Sequence, residues 1–356
     1  MKTNILLVFG GRSTEHEVSV KSCANVDAAL DRSRYNVHKV FISKEGLWRY
    51  YEGDIHQLNV EALISHGAEA AILPGSEKAK LLVRSEGRNH HWTEYEIDVA
   101  IPVLHGKNGE DGTIQGLFEI ARLPYVGCGV LASAASMDKI TTKRVIATAT
   151  DIAQARYTVA YEWELDDFDM VADRVEAALP YPVYVKPANA GSSVGVSKAE
   201  NREALRESLK LAAEVDSRIL IEETIYGREI ECGVLGSVSD PKASGVGEIL
   251  SADDFYTYDA KYNNPNSQTL LDPVLPEGKT EEVRAAAVRI FRAMGASGLS
   301  RVDFFLENGT GRVVFNEINT FPGFTNISMY PMLWKKCGLN ETALMDELIR
   351  LAKSKK

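Results

Sequence analysis

The 356-residue sequence lacks paired cysteines, long apolar runs and any excess of basic charge. Its four cysteines, Cys23, Cys128, Cys232 and Cys337, are scattered singly with no CxxC spacing. That pattern excludes a disulfide framework or thiolate zinc site and predicts buried thiols in a reducing compartment. The seven histidines give no HExxH. Near the start the only apolar run, residues 5–9, is too short for a signal segment or membrane span, and nothing later approaches one. A cytoplasmic protein without a membrane partner is the expectation. Forty Lys and Arg against fifty Asp and Glu give a net charge of −10 and a pI near 5.4. That sign disfavours nucleic acid, whose phosphates need a basic surface. A phosphate ligand must therefore be held by a few focused cations and by metal. Neither GxGxxG nor GxxxxGK[ST] occurs, which removes the dinucleotide fingerprint and the P-loop. Internal repeats, low-complexity tracts and flexible linkers are absent as well.

What is present is ordinary globular composition, 45% apolar and 25% charged, at a length that predicts two or three domains. Residues 5–9 followed by Gly10-Gly11 read as a buried parallel strand ending in a glycine turn, with a helix to about Leu30. A ligand at the carboxyl end of such a strand is expected of a doubly wound sheet. Strands follow at 35–43, 97–104 and 123–127, while 44–93 read as a hairpin and decorations. Ser136-Met137-Asp138-Lys139, with Lys143, opens another helix. Beyond it lies an α+β module: a helix over 168–179, a strand ending at Lys186-Pro187, a helix over 202–214, and strands at 219–223 and 228–235. A helix over 280–294, a hairpin and a C-terminal helix complete the chain.

Two stretches carry chemistry. Arg301-Val302-Asp303 and Glu317-Ile318-Asn319 flank Asn308-Gly309, a strong hairpin signal. Strand alternation puts Arg301 and Asp303 on one face, and Glu317 and Asn319 on one face of the returning strand. Two carboxylates and a carboxamide are hard oxygen donors that suit Mg²⁺ and leave room for water and phosphate oxygens. The charged outer face of an edge hairpin is the plainer reading of the same residues. Lys186 closes an apolar strand five residues before Gly191-Ser192-Ser193-Val194-Gly195. The glycines let backbone N–H groups approach an anion, and the lysine adds a point charge. A glycine-serine turn explains the loop, but not a lysine at the end of a buried run.

These residues carry a resemblance along essentially the whole length. In order they are Gly10-Gly-x-Ser-x-Glu15-x-Glu17-Val-Ser19, His105-Gly-x-x-Gly-Glu110-Asp-Gly-x-x-Gln115-Gly, Met137-Asp-Lys with Lys143, Val185-Lys186-Pro with residues 191–195, Ala260-Lys261-Tyr262, Arg301-Val-Asp303, and Asn316-Glu317-Ile-Asn319-Thr-x-Pro-Gly323-Phe-Thr-x-x-Ser328. The chain resembles the D-alanine–D-alanine ligases of the ATP-grasp superfamily. The resemblance implies an α/β and α+β ATP-grasp fold with an N-terminal doubly wound parallel-sheet domain. It divides the chain into an N-terminal α/β domain (1–130), a central subdomain (131–221) and a C-terminal domain with the metal and substrate site (222–356).

It also implies ATP and two Mg²⁺ ions as cofactors, with Mn²⁺ an allowed substitute, D-alanine as substrate, and allows a homodimer. Lys143, Lys186 and Ser193 would hold phosphate, with Lys261 also at the ATP. Glu222, Ile225 and Glu229 would surround adenine and ribose. Glu223 departs from the family, in which many members have lysine there. Asp303, Glu317 and Asn319 match metal ligands. Glu15 would hold the first ammonium group, Arg301 and the Gly323 N–H an oxyanion, and Ser328 with the Met329 backbone the second carboxylate. Glu15, Ser192 and Tyr262 would form a hydrogen-bonded triad. His105 matches a residue beside the second substrate, and equally suits a satisfied loop histidine. The implied reaction is ATP-dependent D-alanyl-D-alanine synthesis through an acyl phosphate, for peptidoglycan precursors. A D-alanine–D-serine or D-alanine–D-lactate ligase and a non-catalytic nucleotide-binding regulator are the alternatives; phosphate release with D-alanine separates the regulator from the enzymes.

Overall fold

A computed structural model describes residues 2–84, 91–250 and 268–355. A run that is apolar at every position needs cover on both faces of its sheet. Accordingly β1 (Thr3–Gly10) lies between parallel β2 (Tyr35–Ile42) and β7 (Val99–Val103), with β3 (Trp48–Tyr51) as an antiparallel edge. Ile5, Leu7 and Phe9 pack in one core with α1 (His16–Ala29) and with α10 (Glu341–Ser354), the last element of the chain. Leu6 and Val8 face the opposite core, closed by α3 (Thr113–Ile120) and a small antiparallel sheet of β4 (Ala70–Leu73), β5 (Lys80–Arg84) and β6 (Trp92–Glu96). Residues 44–93 thus hold more than a hairpin, including a short α2 (Val60–His66).

The expected strand at 123–127 reduces to a single parallel bridge between Ala100 and Tyr125. Pro124 has no N–H for a ladder, and Gly127 turns the chain away at φ 108°. Next, α4 (Val130–Met137) and α5 (Lys139–Ala149) meet at Asp138, whose carboxylate caps the second helix by accepting from the Thr141 N–H at 2.7 Å.

In the central sheet, β10 (Val183–Pro187) and β12 (Arg218–Glu223) are flanked by β11 (Ser197–Ala199) and β9 (Tyr157–Tyr161), all antiparallel. Val183 and Val185 face α6 (Phe168–Ala178) and α7 (Arg202–Ala213). Alternation therefore sends Tyr184 and Lys186 to the other face. Strand order alone groups residues 228–235 with this module, although the implied division at 221/222 does not. Instead, the chain leaves the sheet after Glu223 and β13 (Gly227–Gly236) enters a second, six-stranded sheet. There it lies between β14 (Pro241–Leu250) and β16 (Gly298–Glu307), followed outward by β17 (Val313–Asn319) and the short β8 (Ala153–Gln154), with β15 (Gln268–Leu271) at the other edge. Ile230, Cys232, Val302 and Phe304 pack on α8 (Lys279–Ala293). The intervening residues face the other way.

One C-terminal helix was expected, but two form, because Gly338 at φ 89° separates α9 (Met329–Lys336) from α10. Cys23, Cys128 and Cys232 are buried and free, whereas Cys337 is exposed at the end of α9 after two lysines, which corrects the expectation of four buried thiols. Among the described residues, no helix is long and apolar enough to cross a membrane.

Candidate active site

The β16–β17 hairpin sets Arg301 opposite Asn319 and Asp303 opposite Glu317. Its turn takes five residues, 308–312, with Gly309 and Gly311 at positive φ. A bulge at Asn316 shifts the register between Asp303 and Phe304. Uninterrupted alternation would put Phe315 and Glu317 on one face. The extra residue instead leaves Phe315 in the α8 core and turns Glu317 into a cavity of about 360 Å³.

Arg301, Asp303, Glu317 and Asn319 all line this cavity. Arg301 grips Asp303 with two bonds, Nε to Oδ1 at 2.8 Å and Nη2 to Oδ2 at 2.6 Å, and its Nε also lies 3.1 Å from Oε2 of Glu231. The Asn319 Oδ1 atom is buried without a hydrogen-bond partner. An orphaned carboxamide oxygen beside two carboxylates fits a hard cation. Among the described residues, no cluster of three or more His, Cys, Asp or Glu side chains is arranged for a metal. A cation here would complete its shell with Asn319, water and phosphate oxygens.

A second charged group stands on the central sheet. Glu222 is buried between two lysines, with Lys143 Nζ at 2.6 Å from Oε1 and Lys186 Nζ at 2.7 Å from Oε2. Burial opposes its charge, but the two ammonium groups prevail and hold its pKa down at about 2. Burial likewise opposes the charge on Lys186, and Glu222 outweighs it, raising the pKa. Of this trio Lys186 and Glu222 reach the cavity wall, whereas Lys143 stands behind Glu222 and also donates to the Ala155 carbonyl at 3.3 Å. One turn earlier on α5, Lys139 is in the wall and donates to the Ala190 carbonyl at 2.6 Å. Burial lowers the pKa of Lys139, with Glu317 acting in the opposite direction. The Met137-Asp138-Lys139 motif by itself assigns Lys139 no role. Its position one helical turn before Lys143 was the usable signal.

Ile225 and Glu229 also line the cavity, beyond the crossing between the two sheets. Glu223 is committed to Arg156, accepting from its backbone N–H at 2.8 Å and its Nε at 2.7 Å. The unusual acid thus has its own cation.

The glycine loop closes over the opposite wall. Ser192 Oγ donates to Glu15 Oε1 at 2.6 Å. Gly191 permits that approach, because a Cβ there would lie 2.6 Å from Glu15 Oε2. Ser192 and Ser193 both hold positive φ, 50° and 60°, a costly conformation for serine. His105 is buried, with Nδ1 3.2 Å from the Phe321 carbonyl and Nε2 3.0 Å from Ser22 Oγ. Burial lowers its pKa, so it is neutral and satisfied. Glu110 is buried beside it and accepts from the backbone N–H groups of Gly106 at 2.7 Å and Phe321 at 3.2 Å. Burial, reinforced by Glu15, raises its pKa to about 8. Gly323 lines the cavity, and a Cβ there would meet Ser328 Oγ at 2.8 Å. Ser328 accepts from the Thr325 N–H at 2.9 Å, and the Met329 side chain is buried with Ile249 and Leu333. Lys261 and Tyr262 lie outside the described residues.

The cavity thus has lysines on one wall and a carboxylate hairpin on another. Family models described as D-ala D-ala ligase N-terminus and D-ala D-ala ligase C-terminus match residues 4–128 and 146–350. The D-alanine–D-alanine ligase of Acetivibrio thermocellus is 46% identical, over 99% of this chain and 96% of its own length. The chain belongs to the D-alanine–D-alanine ligase family. A Thermoanaerobacter sp. ligase of that name is 44% identical over 99% of this chain and 96% of its own. Among solved structures, the D-alanine–D-alanine ligase of Coxiella burnetii superimposes with a TM-score of 0.84 at 33% identity, covering 99% of this chain and 94% of that one. The VanG D-Ala:D-Ser ligase of Enterococcus faecalis gives 0.84 at 34% identity, covering 99% and 100%. The ATP-grasp fold expected of this ligase family is therefore the fold observed. Two residues that sequence reading left without a role, Glu110 and Glu231, also belong to the ligase cavity. Their burial depends on contacts across the fold and leaves no local signature.

Proposed function

We propose that the protein joins two D-alanines to D-alanyl-D-alanine at the expense of ATP, supplying peptidoglycan precursors. The observation that carries this reading is one cavity shared by the Lys186–Glu222 wall, the Asp303–Glu317–Asn319 row and the Glu15–Ser192 contact. Nucleotide phosphates meet Lys186 and Lys139, with Lys143 behind them, while Ser193 and the glycine loop cover them. Ile225 and Glu229 border the adenosine. Asp303, Glu317 and Asn319 hold Mg²⁺, which when bound neutralises phosphate charge during transfer.

Glu15 receives the ammonium group of the first D-alanine, and Ser192 fixes that carboxylate. The carboxylate of the same substrate forms a bond to the γ-phosphorus as the bond to the β-phosphate oxygen breaks. The free amine of the second D-alanine then attacks the acyl carbon. Arg301 and the Gly323 N–H stabilise the oxyanion of the resulting tetrahedral centre, and phosphate leaves as the peptide bond is completed. Ser328 and the Met329 backbone receive the second carboxylate. His105, neutral with both ring nitrogens engaged, shapes the wall and holds the loop rather than moving protons.

The reaction takes place in the cytoplasm on small molecules. Fold alone does not separate D-alanine from D-serine in the second subsite, since one hydroxyl changes pocket energies only modestly. Product identification with ATP, Mg²⁺ and competing D-alanine, D-serine and D-lactate tests the reading. D-alanyl-D-alanine as the dominant product is expected. A dominant D-serine or D-lactate product, or no ligation, would overturn it.

A further inference from the structure

The six-stranded sheet aligns more charge than the hairpin alone. In register, Glu231 on β13 is opposite Asp303 on β16, which is opposite Glu317 on β17. Directly paired residues share a face, so three carboxylates form one row across three neighbouring strands. All three line the cavity. Arg301 sits one pair along and spans the first two, with Nε 3.1 Å from Glu231 and its fork on both oxygens of Asp303. The side chains of Arg301, Glu231 and Asp303 are 8%, 7% and 12% exposed, so water does little to screen them.

Both oxygens of Asp303 are engaged by one guanidinium. A cation drawn to Asp303 and Glu317 competes with Arg301 for the first of these and repels it. A buried guanidinium that loses its partner is strongly destabilised unless another anion holds it. Glu231 is that anion, on the side of Arg301 away from β17.

We propose that Glu231 is a positioning residue that retains Arg301 while Asp303 is shared with the divalent cation, and so sets metal affinity from one strand away. This rests on the assignment of Asp303, Glu317 and Asn319 to the metal. The full-length protein is titrated with Mn²⁺ in the presence of ADP, free Mn²⁺ being read by electron paramagnetic resonance. Glu231→Gln keeps the shape and removes the charge. It should raise the Mn²⁺ dissociation constant by roughly tenfold or more and raise the Mg²⁺ concentration needed for half-maximal turnover, while ADP affinity without metal stays unchanged. Glu231→Asp, which keeps the charge on a shorter stem, should recover part of the Mn²⁺ affinity. Unchanged Mn²⁺ binding in a folded Glu231→Gln protein, even with a lowered melting temperature, overturns the proposal and leaves Glu231 a structural counter-ion. Wild-type protein that takes up no Mn²⁺ with ADP overturns the underlying metal assignment and the proposal with it.

Discussion

Replacing Glu222 with glutamine should cost the free protein about 3 kcal/mol and make it unusually responsive to polyphosphate. The carboxylate is buried between Lys143 and Lys186, and its pKa falls from the ordinary 4.5 to about 2. At about 1.4 kcal/mol per unit, that depression corresponds to about 3 kcal/mol. Breaking a buried ion pair from one side costs about 3–5 kcal/mol, an independent route to the same range. The depressed pKa fixes the sign. The stabilisation is fully present above pH 4.5 and is lost as pH falls toward 2. At pH 7, Glu222→Gln should therefore melt roughly 6–12 °C lower than the parent, in whichever unit contains the central sheet. Inorganic tripolyphosphate separates the counter-ion role from an adenine contact, because it carries the charge without the base. In the parent, Glu222 already offsets part of the charge on Lys186 and Lys143, so added anion gains less than in the variant. In the variant the anion replaces the missing carboxylate, and the melting temperature should rise by several degrees more than in the parent. A variant that melts like the parent, or one that tripolyphosphate rescues no better, would refute the reasoning.

Glu317→Gln should reduce turnover by orders of magnitude in a phosphate-release assay while circular dichroism and melting stay near the parent; near-normal turnover at saturating Mg²⁺ would count against a metal role. Ser192→Ala deletes a 2.6 Å charge-assisted bond to Glu15, worth about 1.5–3 kcal/mol, and should raise the KM for the first D-alanine by roughly ten- to a hundredfold in steady-state kinetics. Glu110 has its pKa raised to about 8, so its contribution is fully present below pH 4.5 and is lost as pH rises through 8. Urea unfolding at pH 5.5 and 8.5 should show the parent losing stability across that interval, and Glu110→Gln, which imitates the neutral acid, losing less.

Much of the fold was legible because its signals are local. The apolar run of β1, the glycine turn after it, and the alternation around Arg301 and Asp303 all report on neighbours within a few residues. The turn chemistry of Asn308-Gly309 located the hairpin, while the five-residue length of its loop depended on Gly311 as well. What stayed hidden is set at long range. The strand pattern of 123–127 was apolar enough, but only one pairing was available to it on β7. Strand β13 follows the central sheet in sequence, yet its partners are β14 and β16. Lys139 and Lys143 share a motif, and only the packing of α5 decides which reaches the cavity. Glu110 and Glu231 look like ordinary surface acids until the Phe321 N–H from a distant loop, or Arg301 on the neighbouring strand, explains their burial.

The helix that ends the chain has a bearing on how the protein is made. Leu344, Leu348 and Ile349 on α10 complete the core against Ile5, Leu7 and Phe9, and Asp346 binds Arg34 and the Tyr35 hydroxyl. A polypeptide emerges from the ribosome amino end first, and its domains fold in that order when they can. Here α1 covers part of the Ile5, Leu7 and Phe9 face early, and the rest stays uncovered until residues 341–354 arrive. Until they do, the uncovered part is a sticky surface in need of shelter, so a nascent chain halted before residue 341 should be a client for chaperones.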